Sequence, residues 1–265
     1  MKKLAFLGGG KMAEAIIKGL LAAGWAAAEE MVVSDIDRSR LEALAREYKV
    51  NTSVSNREAA SQAEVVLLAV KPQNVEEVMG EVAETLHPGQ VLISIAMGKS
   101  TALLESLAAG ETAVVRVMPN NPAMVGRAVS VISYGRFADD RARESALGIF
   151  RCLGEVLEIE ERHQDAAMAI SGCGPAYFYL IAEAIADAGV KLGLQRDLAL
   201  QLAVGTMFGA ASMMRESGLE PARLRGMVAS PAGSTIMALE ALEESGIRAA
   251  FFRALEAAYR RAREV

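Results

Sequence analysis

Short apolar runs rich in Val, Ile and Leu recur through the first 160 residues: Leu4–Leu7, Met31–Ser34, Val65–Val70, Val91–Ala96, Val114–Met118, Val129–Ser133 and Val156–Ile159. They are largely apolar throughout rather than alternating, which is the pattern of parallel strands covered on both faces. Between them lie segments of helical period: Lys11–Ala23, Arg38–Tyr48, Val75–Leu86, Thr101–Ala108 and Asp139–Cys152. Strands alternating with helices predict an α/β fold with a doubly wound parallel sheet.

The pattern changes near residue 160. From Arg162 onward no strand is predicted. Ala/Leu/Met-rich helical segments take over: Gln164–Leu192, interrupted by Gly172-Cys173-Gly174-Pro175, then Arg196–Ser217, Pro221–Val228, Ser234–Ser245 and Arg248–Arg263. Gly189, Gly193 and Gly218 are plausible stops. The chain therefore divides into an α/β domain over 1–160 and an all-α domain over 161–265. The segment Tyr177–Val190 is apolar around much of its circumference, and about 100 residues bury few such helices alone. A homodimer that packs these helices together is expected.

Composition narrows the function. The 265 residues carry 28 Lys+Arg against 33 Asp+Glu, a net charge of −5. An acidic chain lacks the positive field a polyphosphate backbone needs, so no nucleic-acid partner is expected. The 52% hydrophobic content supports a sizeable core. No stretch reaches about 20 uninterrupted apolar residues, so no membrane partner is expected. The apolar N-terminus is broken by Gly8-Gly9-Gly10, Lys11 and Glu14, which argues against a signal peptide. The two cysteines, Cys152 and Cys173, form no CxxC or Cys/His cluster. They exclude a disulfide scaffold and provide no zinc site. A cytoplasmic protein is expected.

Leu4–Leu7 runs directly into Gly8-Gly9-Gly10-Lys11-Met12-Ala13 and then a helix. This is G-x-G-x-x-A after a first strand, the dinucleotide-binding turn of a Rossmann-type domain. The first glycine permits the tight turn, the second lets backbone approach a pyrophosphate, and small Ala13 lets helix and strand pack closely. Amides at the helix start meet the phosphates. Asp35 lies about 20 residues further on, where the adenosine ribose is read, and favours NAD. Ser34, Arg38 and Arg40 flank it and are able to hold a 2′-phosphate, although the two arginines also read as solvated charge at a helix start.

Other strand ends carry unusual chemistry: Lys71-Pro72-Gln73, Met97-Gly98, and Pro119-Asn120-Asn121-Pro122. Lys71 is placed to pair with cofactor oxygens, and the Pro-bracketed asparagines make a stiff polar loop. In the helical half, Val228-Ala229-Ser230-Pro231-Ala232-Gly233-Ser234-Thr235-Ile236 opens a helix. Its amides and hydroxyls suit a carboxylate without any arginine. Neither His87, in a His-Pro-Gly turn, nor His163 sits in a motif, so the His acid/base of an alcohol dehydrogenase is missing. Hydroxyls and backbone donors without a catalytic His suit an imine, whose nitrogen arrives already protonated, better than a carbonyl. A carbonyl-reducing β-hydroxyacid dehydrogenase relative would need a lysine in the helical domain, and Lys191 reads better as a helix-end charge.

Together these segments resemble the pyrroline-5-carboxylate reductases. The resemblance rests on Gly8–Ala13, Ala69-Val70-Lys71-Pro72-Gln73, Arg116-Val117-Met118-Pro119-Asn120-Asn121-Pro122, Ser171-Gly172-Cys173-Gly174-Pro175-Ala176-Tyr177 and, most specifically, Val228–Ile236. It implies hydride transfer from NADP (NADPH), with NAD (NADH) as the second cofactor, to the C5=N bond of 1-pyrroline-5-carboxylate, the last step of proline biosynthesis. By position, Thr235 would hydrogen-bond the ring nitrogen as the catalytic group. Ser230, Gly233 and Ser234 would hold the substrate carboxylate. Gly8, Gly10, Lys11, Met12, Ser34, Asp35, Asn56, Ala69, Lys71, Met97 and Asn120 would bind the cofactor. The resemblance also implies interlocked helical dimerisation domains, a ring of dimers, and substrate pockets built from both chains. Two residues depart from the pattern: Cys173 stands where serine is common, and Ala232 where glycine is common. Asp35 disfavours a 2′-phosphate by repulsion on the order of 1 kcal/mol or more.

Overall fold

A computed structural model describes residues 2–108 and 110–264. The chain forms two compact units, one comprising 1–173 with 258–265 and the other 174–257.

The first unit is built on an eight-stranded sheet of order β3-β2-β1-β4-β5-β6-β7-β8. Its strands are β1 (Lys2–Leu7), β2 (Met31–Ser34), β3 (Asn51–Ser53), β4 (Ala63–Leu68), β5 (Val91–Ser94), β6 (Ala113–Met118), β7 (Ala128–Tyr134) and β8 (Gly154–Glu158). Its helices are α1 (Lys11–Ala22), α2 (Arg38–Tyr48), α3 (Asn56–Ser61), α4 (Val75–Val82), α5 (Thr101–Leu107), α6 (Asp140–Arg151) and the short α7 (Gln164–Ala167), which passes into a π-helical turn over Met168–Gly172. The central strands are apolar on both faces because both faces are covered. Leu4, Phe6, Val65 and Leu67 join a core with α1 and α6, while Ala5, Leu7, Val66 and Leu68 join a second core with α3 and α4.

Two short elements escape the hydrophobic pattern. β3 is a polar edge strand paired only with β2, and α3 has six residues. The expectation of parallel strands fails at β7, which runs antiparallel to β6. The connection over 119–127 is too short for the dozen or more residues of a parallel crossover. Parallel pairing resumes between β7 and β8, across α6.

The second unit is helical, with α8 (Gly174–Lys191), α9 (Arg196–Ser217), α10 (Pro221–Val228), α11 (Ser234–Glu244) and most of α12 (Ile247–Arg263). Small residues bring α8 and α9 together. Ala182, Ala186, Ala199 and Ala203 are buried, and a Cβ on Gly189 would stand 2.9 Å from the Ala199 Cβ. Large side chains lie outward: Phe178, Leu180, Leu202 and Phe208 are all more than half exposed. The stretches Glu161–Lys191 and Arg196–Ser217 are long and apolar enough to cross a membrane by length and composition, although neither is an uninterrupted apolar run.

Candidate functional site

The chain switches from β3 at one edge to β4 beside β1, so the loops after β1 and β4 open a crevice at the carboxyl edge of the sheet. In-register pairing brings Leu7, Ser34 and Leu68 level, and the bonds Gly8 N to Ser34 O and Ala69 N to Leu7 O (both 2.8 Å) carry that alignment into the loops. Gly8 has φ +103°, and a Cβ there would sit 2.8 Å from the Ala69 carbonyl oxygen, so only glycine fits. Gly10 is the N-cap of α1, makes no side-chain cap, and has open space where a Cβ would project. The first amides of α1, on Lys11, Met12 and the buried Ala13, thus face an uncrowded approach suited to an anion. This is what a bound dinucleotide requires of its pyrophosphate cradle.

The rim of that turn is held by charge. Asp35 accepts the Gly9 amide through Oδ2 (2.7 Å) and the Asp37 amide through Oδ1 (2.9 Å). Arg40, only partly exposed, is engaged within the turn rather than free for a 2′-phosphate. Its Nε donates to the Gly9 carbonyl, and its Nη2 pairs with Glu14 Oε2 at 2.7 Å. Tyr48 donates to the other Glu14 oxygen. Burial pushes the Glu14 carboxyl up, but the Arg40 hydrogen bond and charge, helped by Lys11 and Tyr48, outweigh it and hold the pKa below 4.5. Burial, followed by Glu47 and Glu14, pushes Tyr48 up to about 12. Ser34 is fully buried and donates to Asn56 Oδ1 (2.7 Å), and Asn56 Nδ2 in turn donates to Glu81.

Ala69 forms the floor under Gly8, and the exposed Lys71 precedes a 3₁₀ turn over Pro72–Asn74. Met97 is half-buried in the turn after β5. Asn120 is buried, and both ends of its amide are engaged. Oδ1 accepts from Val129 N (3.0 Å) and Nδ2 donates to Ser171 O (2.9 Å), which ties the Pro119–Pro122 loop to the π-helical turn. Cys173 closes that turn, its amide bonding Met168 O and its Sγ lying 3.5 Å from Met168 Sδ.

Sequence reasoning gave Arg116 no role. The structure places it in β6, buried, paired with Asp165 (2.7 Å) and Glu161 (3.4 Å). Glu161 also takes the amide and hydroxyl of Thr101 at the start of α5. A lone arginine within Val114-Val115-Arg116-Val117-Met118 was the available signal.

In the second unit, the turn between α10 and α11 carries the other predicted group. Ala232 adopts φ +55°, which explains why glycine is common there. Gly233 is the N-cap of α11, again with no side-chain cap, and a Cβ on it would stand 2.3 Å from Ser230 Oγ. The Ser230 hydroxyl therefore lies against Gly233, at the start of α11. Ser230 and Ser234 are exposed and Thr235 half-exposed. Lys191, His87 and His163 are exposed.

A family model described as "Pyrroline-5-carboxylate reductase dimerisation" matches residues 161–265, and one described as "NADP oxidoreductase coenzyme F420-dependent" matches 3–98. The chain is 42% identical to the pyrroline-5-carboxylate reductase of Corynebacterium melassecola over 100% of this chain and 99% of that protein. The pyrroline-5-carboxylate reductase structure from Coxiella burnetii aligns with TM-score 0.91 and 35% identity, covering 99% of this chain and 98% of that one. The pyrroline carboxylate reductase structure from Plasmodium falciparum, solved with NADP bound, aligns with TM-score 0.91 and 32% identity over 99% and 97%. With full-length identity at this level and an α/β nucleotide fold followed by an all-α dimerisation region, the chain belongs to the pyrroline-5-carboxylate reductase family.

Proposed function

We propose the following division of labour for the reaction of this family, the reduction of 1-pyrroline-5-carboxylate to L-proline that ends proline biosynthesis. The chain is an oxidoreductase acting on a carbon–nitrogen double bond. A reduced nicotinamide supplies the hydride, which goes to C5 of the imine. Residues 1–160 form the dinucleotide-binding domain, and 161–265 the helical dimerisation and substrate domain. Gly8 and Gly10 shape the phosphate turn, and the amides at Lys11 and Met12 bind the pyrophosphate. Ser34, Asp35 and Asn56 lie on the adenosine side, while Ala69, Lys71, Met97 and Asn120 complete the cradle. Ser230, Gly233 and Ser234 hold the substrate carboxylate. The Thr235 hydroxyl oxygen accepts a hydrogen bond from the protonated ring nitrogen and keeps that proton in place. Catalysis is chiefly positioning, because a protonated imine needs no further acid.

One observation carries this assignment: α1 and α11 each start on a glycine N-cap, Gly10 and Gly233, that leaves the first amides without a side-chain cap. A dinucleotide and a small carboxylic acid are two anions, and each start suits one of them. The test follows absorbance of the reduced nicotinamide with NADH or NADPH and 1-pyrroline-5-carboxylate. Thr235→Ala lowers kcat at least tenfold, on the scale of one lost transition-state hydrogen bond, with cofactor Kd unchanged; equal loss of both rejects the assigned role.

The protein is a soluble cytosolic homodimer, assembled further into a ring of dimers. A second copy, rather than a membrane or nucleic acid, covers the outward apolar side chains of α8 and α9. Sedimentation without detergent tests this, and a stable monomer would refute it.

A further inference from the structure

We propose that Asp35 selects the cofactor in this chain, favouring NADH over NADPH. This rests on the Gly8–Gly10 turn being the dinucleotide site, and it concerns which dinucleotide that site prefers.

The Asp35 carboxylate is fixed from both sides, by the Gly9 amide at 2.7 Å and the Asp37 amide at 2.9 Å. It stands at the carboxyl end of β2, directly beside the phosphate turn, where a doubly wound domain receives the adenosine ribose. Each carboxylate oxygen has further acceptor capacity, which suits the ribose hydroxyls. Ile36 is 92% exposed, and Val54, just past the neighbouring strand end, is 59% exposed, so the same edge presents apolar surface for an adenine ring.

A 2′-phosphate would bring close to two negative charges against this fixed anion. The groups able to neutralise it are already engaged. Arg40 donates to the Gly9 carbonyl and pairs with Glu14, and withdrawing it would take the nearest cation, at 2.7 Å against 3.5 Å for Lys11, from a carboxylate whose side chain is only 12% exposed. The Ser34 hydroxyl is buried against Asn56, and the Asn56 amide is bound to Glu81. Arg38 remains, exposed on the first turn of α2, where a solvated cation offsets little.

Arg40 therefore acts on the turn and not on the cofactor's phosphate, which separates the two residues experimentally. Isothermal titration of the full-length protein with NADH and NADPH at fixed ionic strength reads affinity independently of turnover. The wild-type protein is expected to bind NADH on the order of tenfold more tightly, since a charged hydrogen bond is replaced by repulsion. Asp35→Asn weakens NADH and strengthens NADPH, bringing the two within about threefold. Arg40→Ala weakens both by the same factor, because it loosens a turn that both use. NADPH binding as tightly as NADH to the wild-type protein would overturn the proposal without any variant having to fold. So would a loss on Arg40→Ala confined to NADPH. Failure of the wild-type protein to bind either nucleotide would instead sink the dinucleotide site itself, and the proposal with it.

Discussion

The three glycines of the phosphate turn are not equivalent, and two of them separate folding from binding. Consider Gly8→Ala and Gly10→Ala. At Gly8 the backbone sits at φ +103°, and the added methyl would meet the Ala69 carbonyl oxygen at 2.8 Å, its carbon at 3.0 Å and Val70 Cγ1 at 3.1 Å. Two of those atoms are backbone of a central strand end and cannot rotate away. Backbone strain costs roughly 1–2 kcal/mol and overpacking roughly 1–3 kcal/mol, so Gly8→Ala should destabilise by about 3 kcal/mol. At about 2–4 °C per kcal/mol for a domain of this size, the melting temperature should fall by roughly 10 °C. At Gly10, φ is −65° and nothing lies within 4 Å of the added methyl. Alanine is a poorer N-cap than glycine, so the cost is about 1 kcal/mol or less. On the proposed phosphate site that methyl would project into the pyrophosphate's space, so dinucleotide affinity should fall on the order of tenfold or more, about 1.4 kcal/mol per decade. Differential scanning fluorimetry and isothermal titration on both variants give the two readouts. Wild-type melting for Gly8→Ala, or wild-type affinity for Gly10→Ala, would refute the reasoning.

Ala232→Gly relieves a left-handed alanine worth roughly 1–2 kcal/mol, offset by roughly 0.4–1 kcal/mol of unfolded-state entropy, so it should melt no lower than wild type; a clear loss of stability would contradict that conformation. Gly233→Ala forces the Ser230 hydroxyl, 2.3 Å from the new methyl, to move, and should raise KM for 1-pyrroline-5-carboxylate while NADH affinity holds. For Glu14, whose folded pKa lies below 4.5, the stabilisation is present above that pH and lost as pH falls through the folded value. The gap in urea midpoint between wild type and Glu14→Gln should therefore be open at pH 7 and close on acidification; a gap constant with pH would dismiss the Arg40 pairing as its source.

What the sequence made legible follows from what water does to side chains. Strands such as Leu4–Leu7 and Val65–Leu68 stood out because helices cover both their faces, leaving no polar position to blur the run. β3 left no such trace: it has three polar residues on one neighbour, and its Asn51 side chain bonds the carbonyls of Glu29 and Met31. The direction of β7 was invisible in its own residues, since a buried strand reads alike in either sense; only the short 119–127 connection recorded it. Arg40 shows the limit at the site. Its place at a helix start fits solvated charge, and what engages it is the Gly9 carbonyl and Glu14, brought close by the fold. Ala232 shows the same limit from the other side. The departure was visible in the sequence, but the positive φ that gives it meaning was not.

The helix starts show how this chain distributes its stability. Asp37, Ser55, Ser100 and Asp139 cap α2, α3, α5 and α6 with side-chain oxygens, as helix starts commonly do. α9 and α10 begin on Gln195 and Glu220 without such a bond, so a missing cap alone marks nothing. α1 and α11 have glycine N-caps, Gly10 and Gly233, at two of the segments on which the family resemblance rests. A serine at either place would satisfy the first amides and stabilise the helix by a few tenths of a kcal/mol, and it would occupy the acceptor position an incoming anion needs. On the proposed assignment, glycine leaves those amides for a ligand to satisfy, so that folding would give up stability at two points that binding would restore. On this basis the protein should gain stability with a bound dinucleotide in proportion to ligand concentration over Kd. A variant that caps α1 should exchange that ligand-dependent gain for stability already present in the free chain.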